Sequence, residues 1–266
     1  MPQQRNSEEA MITPDFIDKP EDMINQIVLG DCLETMRRMP DNFVDCIITS
    51  PPYNMRTRIR NGEYTTKERS EHFSKKYEHF GDDLSIEDYE ATHTKALAEM
   101  MRVSSLVFWN IQIVTGSKEA VFKILGKFAE QIRDVVIWDK GSGQPAMHEG
   151  VLNRATELII AFEPDGRKGR TFAKHDFKRG TVQDIWRFGR GGKGLVKAHA
   201  AVFPEKLVGF IIQNFTKEDE TIYDPFLGTG TVAKVAKDLN RNYIGSEISK
   251  EYCEIAEERL RQETLL

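Results

Sequence analysis

Apolar residues occur in short runs along this chain, and the runs alternate between strand-like and helix-like spacing. Residues 25–29 read as a strand running into Gly30-Asp31, and 32–39 as a helix ended by Pro40-Asp41-Asn42. Residues 43–49 form the next strand. From 86 to 101 the spacing is helical, with Leu97, Met100 and Met101 on the apolar side. Residues 105–110 predict a buried strand, 118–128 a helix, and 134–138 and 157–162 two more strands. A basic, glycine-containing stretch over 163–198 follows, holding one strand at 182–188. Beyond it come a helix over 204–214, a strand at 221–223, a helix over 231–239, a strand at 243–245 and a helix over 250–262. Strands alternating with helices predict an α/β fold with a doubly wound, mainly parallel sheet.

Residues 25–262 are expected to form one domain, preceded by an N-terminal tail over 1–24. Segment 55–83 lacks periodicity and is rich in charge, which predicts a long mobile loop. The basic stretch 163–198 is expected as an insertion in the one domain. At 266 residues, with 39% hydrophobic and 30% charged, the composition is that of an ordinary soluble globular protein with a sizeable core. No apolar run approaches the roughly 18–20 residues of a membrane helix. The polar, acidic N-terminus shows no secretory signal. Cys32, Cys46 and Cys253 are too dispersed for a disulfide framework or zinc site, and the six histidines lack metal-ligand spacing. A metal-free, cytoplasmic protein is the expectation.

Charge distribution changes the picture that the net charge of −5 suggests. Segment 55–76 holds seven Lys/Arg against three glutamates, and segment 166–198 holds ten against Asp176 and Asp184. Phosphate binding needs a local basic surface, not a basic protein. Solvated loops are the competing reading of both windows; the one-sidedness of the second favours nucleic-acid contact.

Two segments carry candidate chemistry. The first, Thr49-Ser50-Pro51-Pro52-Tyr53-Asn54, directly follows the apolar run Val44-Asp45-Cys46-Ile47-Ile48. Proline has no N–H and a fixed φ, so the carbonyls of Ser50 and Pro51 point away from a sheet ladder. The turn can offer acceptors to a flat, amine-bearing group and the Tyr53 ring as a stacking face. A turn that uses Pro-Pro-Tyr-Asn for shape alone is the competing reading. The second segment, Asp224-Pro225-Phe226-Leu227-Gly228-Thr229-Gly230-Thr231, lies between a short strand and a helix, where a glycine turn lets a ligand approach the backbone. Glu247 lies 23 residues beyond Asp224 at the end of the next strand, a position suited to a carboxylate accepting from ribose hydroxyls. No Lys-Ser or Lys-Thr pair follows Gly230, which argues against a nucleotide-triphosphate loop.

Together these residues resemble the S-adenosylmethionine-dependent DNA amino-methyltransferases, the N4-cytosine and N6-adenine family. Its catalytic signature is Ser, Asp or Asn, then Pro-Pro and an aromatic residue. Its cofactor signature, Asp-Pro-Phe-x-Gly-x-Gly-Thr followed by Ile-Gly-x-Glu, is matched over 224–231 and by Ile244-Gly245-Ser246-Glu247. Because the catalytic motif precedes the cofactor motif, with the basic stretch between, the chain resembles the family's β arrangement. His199, followed by Phe203-Pro204 and Leu207, matches a segment that precedes the cofactor motif in that class. Ala200 departs from the proline often found after this histidine. The likeness covers about residues 25–262.

The resemblance implies a Rossmann-like class I methyltransferase fold and S-adenosylmethionine as cofactor. Phe226 with the Gly228-Thr229-Gly230 turn would line the methionine moiety, Glu247 would hold the ribose, and Asp224, Thr231 and His199 would also bind the cofactor. Asp31 matches an acidic position near the adenine amine; a helix N-cap is the alternative, and both roles can coexist. Ser50 Oγ and the Pro51 carbonyl would accept the two hydrogens of a base amine, with Pro52 and Tyr53 completing the catalytic turn. Tyr53 would stack on a base flipped out of double-stranded DNA. No covalent intermediate is needed, so no cysteine is assigned as nucleophile.

Ser50 favours cytosine N4 within this family, with adenine N6 as the alternative and Asn54 on its side. The family habit also implies a homodimer and a cognate restriction endonuclease that need not be physically attached. The target sequence would be read chiefly by 163–198, with help from the 55–80 loop, and Trp186 and Phe188 there either wedge into DNA or pack. From other classes, a non-catalytic DNA-binding or partner-binding module and a methyltransferase of RNA or protein stand as rivals.

Overall fold

The computed structural model describes residues 11–55, 57–60, 63–66, 84–143, 149–190 and 203–262. An eight-stranded sheet organises them. In chain order its strands are β1 (Gln26–Leu29), β2 (Cys46–Thr49), β5 (Val107–Ile111), β6 (Ile132–Asp139), β7 (Thr156–Phe162), β8 (Ile185–Arg187), β9 (Thr221–Asp224) and β10 (Asn242–Glu247). A separate antiparallel pair, β3 (Thr57–Arg60) and β4 (Glu63–Thr66), follows β2. The spatial order in the sheet is β1-β10-β9-β2-β5-β7-β6-β8. Only β7 runs against the others, antiparallel to both β5 and β6. The expected mainly parallel α/β sheet is therefore present, with one reversed strand.

Buried strands alternate their side chains between two helical layers. In β2, Ile47 faces one core while Cys46 and Ile48 face the other. The first core receives Met36 from α1 (Cys32–Arg37), Leu97 and Met100 from α2 (Ile86–Val103), and Val121 and Ile124 from α3 (Lys118–Lys127). The second receives Leu207 and Ile211 from α4 (Glu205–Phe215) and Val232 and Val235 from α5 (Thr231–Asp238). Helix α6 (Lys250–Arg261) packs Cys253, Ala256 and Leu260 against Ile27, Leu227 and Ala233. Side-chain caps start three of these helices: Asp31 on Leu33 N, Ser85 on Asp88 N and Ser249 on Tyr252 N. No helix among the described residues is long and apolar enough to cross a membrane.

Three sequence expectations change. Part of the stretch expected as a tail belongs to the fold: Ile12 bridges Val28, and Ile17 and Met23 are buried in the first core. The short 3₁₀ turn Pro14–Phe16 sits against the C-terminal end of β1, where a side chain on Gly30 would strike Pro14 at 2.8 Å. The segment expected as one long loop contains the β3–β4 pair, whose antiparallel register joins Arg60 to Glu63.

The third change concerns the basic stretch. Because β7 is reversed, its last residue Phe162 pairs with Val107 at the N-terminal end of the parallel strands. The chain that follows stays at that end. Arg133, buried before the body of β6, binds Glu163 (2.6 Å) and Asp165 (2.9 Å) and donates to the carbonyls of Arg167 and Gly169. Lys174 pairs with Asp45 just ahead of β2 (2.8 Å) and Glu220 ahead of β9 (3.6 Å). Arg170 pairs with Asp134 (2.9 Å), and Phe172 and Phe177 pack on Phe215. Residues 163–184 are thus a brace on the far end of the sheet, with several of their positive charges matched by acids.

Candidate active site

The Ser50–Tyr53 turn leaves the C-terminal end of β2. Its shape is held from behind: Asn54 is buried, takes a left-handed φ of 58°, and donates through Nδ2 to the carbonyls of Leu84 and Gly116, both at 2.9 Å. Asn54 is therefore a structural clasp. Tyr89 on α2 donates to the Pro52 carbonyl (2.9 Å), and its ring stacks on His93 (3.9 Å between centroids). His93 is buried and its pKa is pushed down to about 4 by desolvation. Its Nδ1 faces the Tyr89 carbonyl, and its ring stacks on Phe226 (6.1 Å). One helix thus backs both the Ser50–Tyr53 turn and the glycine turn after β9.

In front of the turn lies a polar network that the sequence did not reveal. Ser50 Oγ and Tyr53 Oη are 2.7 Å apart, and Tyr53 Oη donates to Glu157 Oε2 at 2.9 Å. Asn110 Nδ2 reaches Tyr53 Oη (2.6 Å), Glu157 Oε2 (2.7 Å) and, more distantly, Ser50 Oγ (3.3 Å). Lys140 closes the network on Glu157 Oε1 at 3.0 Å. These residues come from the C-terminal ends of β2, β5 and β6 and from the beginning of reversed β7. Only the tertiary arrangement gathers them. Burial and the neighbouring Glu157 raise the Tyr53 phenol well above its ordinary pKa, so it stays a neutral donor.

The second turn leaves β9. Phe226 N donates to Asp224 Oδ1 at 3.0 Å. Gly228 (φ 54°) and Gly230 (φ 81°) occupy the left-handed region, and Gly230 caps the start of α5. A side chain on Gly230 would lie 2.6 Å from Ala256 Cβ, so its absence lets α6 close against the turn. Gly245 has the same role toward Leu227 (2.6 Å). Glu247 ends β10, accepting from Gly228 N at 2.9 Å on Oε2 and from Ser249 N at 2.8 Å on Oε1. Burial raises its pKa, partly offset by these backbone donors. Asp224 is more deeply buried, and desolvation pushes its pKa up to about 7. Thr229 and Thr231 both meet Arg259 Nη1, at 3.3 and 3.2 Å from their hydroxyls; they fasten the turn to α6. Asp31 caps α1 through Leu33 N (2.6 Å) while remaining exposed at the end of β1.

The two turns meet. β2 and β9 are neighbours in the sheet, yet the chain leaves β2 toward β5 and leaves β9 toward β10. That divergence is a topological switch point, where doubly wound sheets open a ligand crevice. Across it, Thr49 Oγ1 donates to Asp224 Oδ1 at 2.7 Å. Ser50, Pro51, Pro52, Tyr53, Asp224, Phe226, Gly228, Gly230, Glu247 and Asp31 all belong to the C-terminal end of the sheet. His199 lies outside the described residues, as does much of 55–83. Trp186 and Phe188 pack against Phe210 (5.2 and 5.4 Å), so neither is presented as a wedge. The sequence reading missed Asn110, Glu157 and Lys140. An Asn or Glu in an otherwise apolar strand was the available signal. The three cysteines are buried, and desolvation raises each thiol's pKa.

A family model described as DNA methylase, covering N6 and N4 enzymes, matches residues 44–258. The Type II methyltransferase M.HinfI of Haemophilus influenzae is 27% identical over 259 residues, covering 91% of this chain and 69% of that protein. M.BglII of Bacillus subtilis is 27% identical over 272 residues, covering 89% and 69%. Among solved structures, the cytosine-N4-specific PvuII DNA methyltransferase superposes with a TM-score of 0.68 at 18% identity, covering 91% of this chain and 88% of that one. A putative DNA modification methylase from Thermus thermophilus, solved with S-adenosylmethionine, gives 0.56 at 19%, covering 88% and 93%. These superpositions establish a shared fold. Matched from ahead of the strand that carries Ser50 to the helix behind Glu247, the chain belongs to the N6/N4 DNA methylase family.

Proposed function

We propose that this protein transfers the methyl group of S-adenosylmethionine to an exocyclic base amine in double-stranded DNA, with cytosine N4 as the target. The observation that carries this reading is the Thr49–Asp224 bond, which sets the amine-accepting turn beside the glycine turn at the sheet's switch point. The cofactor suits the residues present. Gly228 has open space where a side chain would stand, and Glu247 has spare acceptor capacity on both oxygens. Glu247 would hold the ribose hydroxyls, and Asp224 with Phe226 would border the sulfonium end. When bound, the cofactor supplies a methyl group on positively charged sulfur.

The chain's own residues then act on the amine. A base amine is a weak nucleophile because its lone pair is delocalised into the ring. Ser50 Oγ and the Pro51 carbonyl accept its two hydrogens and draw the nitrogen toward tetrahedral geometry. Holding the amine close to the donor supplies much of the acceleration; once the nitrogen carries the methyl group, S-adenosylhomocysteine would be left and the surplus amine proton would pass to water. Ser50 is neutral where a carboxylate would carry charge, which supports cytosine N4. The cytosine-N4 specificity of the PvuII enzyme agrees with that choice.

DNA would approach the C-terminal end of the sheet, not the 163–184 brace. At that end Val151 and Leu152 are exposed (58% and 88%), and Arg154, Arg187 and Arg190 stand nearby in sequence to β7 and β8. Nucleoside mass spectrometry of DNA from cells expressing the protein tests the assignment. N4-methylcytosine is the expected product. N6-methyladenine instead would move the target, and an unmodified genome with measurable DNA binding would favour the non-catalytic module.

A further inference from the structure

The network around Tyr53 fixes where each proton points. Glu157 accepts on both oxygens: Lys140 lies 3.0 Å from Oε1, while Tyr53 Oη (2.9 Å) and Asn110 Nδ2 (2.7 Å) lie against Oε2. Tyr53 has one proton, and a carboxylate can only accept, so that proton belongs to Glu157. Asn110 Nδ2 has two hydrogens and three acceptors within reach, and Ser50 is the distant one at 3.3 Å. The 2.7 Å contact between Ser50 and Tyr53 must therefore be a donation from Ser50 Oγ to Tyr53 Oη. Ser50 then has its proton committed to Tyr53, and only the distant Asn110 Nδ2 stands against its lone pairs.

We propose that Glu157 is a positioning residue that, acting through Tyr53, turns the Ser50 hydroxyl into a committed acceptor for the substrate amine. A free serine hydroxyl rotates and presents its proton as readily as its lone pairs, and a proton facing the amine would oppose catalysis. Glu157 removes that freedom and adds negative charge to the end of a hydrogen-bonded chain, which polarises Ser50. Lys140 holds the carboxylate in place and balances its burial; both side chains are about nine-tenths buried (6% and 11% exposed). The same bonds pin the Tyr53 ring, the stacking face. Tyr53 and Glu157 are 104 residues apart, so the device exists only in the folded chain. The inference rests on the methyl-transfer reading above.

Single-turnover methylation of unmethylated linear phage DNA with tritiated S-adenosylmethionine tests it, using wild type, Glu157→Gln, Tyr53→Phe and the double variant. Glutamine must present its NH2 group either to Lys140 or to Tyr53 and Asn110, so it cannot satisfy both sides. Each single variant is expected to lose about 10- to 100-fold in transfer rate, the scale of one charge-assisted hydrogen bond. The donor concentration that half-saturates the single-turnover rate should be unchanged. The double variant should lose no more than the worse single one, because both break one chain. Tyr53→Phe removes only a hydroxyl and keeps the comparison readable if Glu157→Gln folds poorly. Wild-type rates in both single variants, or losses that multiply in the double, would overturn the relay while leaving the methyltransferase reading intact. No transfer by the wild type would overturn that reading and the relay with it.

Discussion

Thr49 and Asp224, 175 residues apart, share a buried 2.7 Å hydrogen bond that joins the Ser50–Tyr53 turn to the glycine turn. Both side chains sit on the last residues of adjacent parallel strands, so the bond also fixes the spacing between the two halves of the site. Thr49→Val keeps the shape and removes the donor, leaving Asp224 one partner short. Loss of about 1–3 kcal/mol of stability is expected by urea unfolding. Donor affinity by calorimetry should weaken as well, and Thr49→Ser should restore both. A Thr49→Val protein with wild-type stability and affinity would show that the bond does not matter.

Asp224 gives the protein a pH signature. Its carboxyl titrates near 3.8 when free and is raised to about 7 by burial in the fold. Between pH 4 and 7 the folded state holds a proton that the unfolded state has lost. Stability of the unliganded protein therefore falls as pH rises through that window, by at most roughly 4 kcal/mol, and levels off above it. Asp224→Asn should flatten the profile. A positively charged donor favours the ionised form, so S-adenosylmethionine should bind more tightly at pH 8 than at pH 6. S-adenosylhomocysteine, whose sulfur is neutral, should respond less; equal responses of the two ligands would remove Asp224 from the sulfonium's surroundings.

The two turn glycines should separate conformational strain from collision. Gly230→Ala forces a β-carbon to 2.6 Å from Ala256 and strains a φ of 81°, for an expected cost of about 2–4 kcal/mol. Gly228→Ala meets no atom within 4 Å and should cost about 1 kcal/mol through its φ of 54° alone. Its main effect should be on donor binding, because the added methyl occupies the open side of the turn. Guanidinium melts alongside ligand titrations read the two effects independently.

The placement of the basic residues predicts an uneven salt response. Arg154→Ala and Arg187→Ala should each reduce the slope of log affinity for duplex DNA against log salt by about 0.9. Alanine at Lys168, Lys178 and Arg179, in the brace at the far end, should leave that slope unchanged. Filter binding across a salt series measures it, and the reverse pattern would return DNA contact to residues 163–184.

Local order was legible in the sequence because it depends on local physics. The alternation of apolar runs predicted the α/β sheet, and the Ser50–Tyr53 and Asp224–Thr231 motifs marked two strand ends by their proline and glycine chemistry. Which end of the sheet the charges of residues 163–190 reach was not legible, for a physical reason. Composition counts charges, but the reversal of β7 decides which end of the sheet they reach, and Arg133, Asp45 and Glu220 decide which are already matched. The β3–β4 pair escaped because its strands are four residues each and carry little period.

Neighbours a few residues apart were thus enough to mark the strands and helices of the main sheet, the two motif-bearing turns and the family likeness. Only the tertiary structure decided that Thr49 would bond Asp224, and that Asn110, Glu157 and Lys140 would surround Tyr53. Those contacts depend on strand order and direction, which a chain settles only when distant apolar faces are buried together.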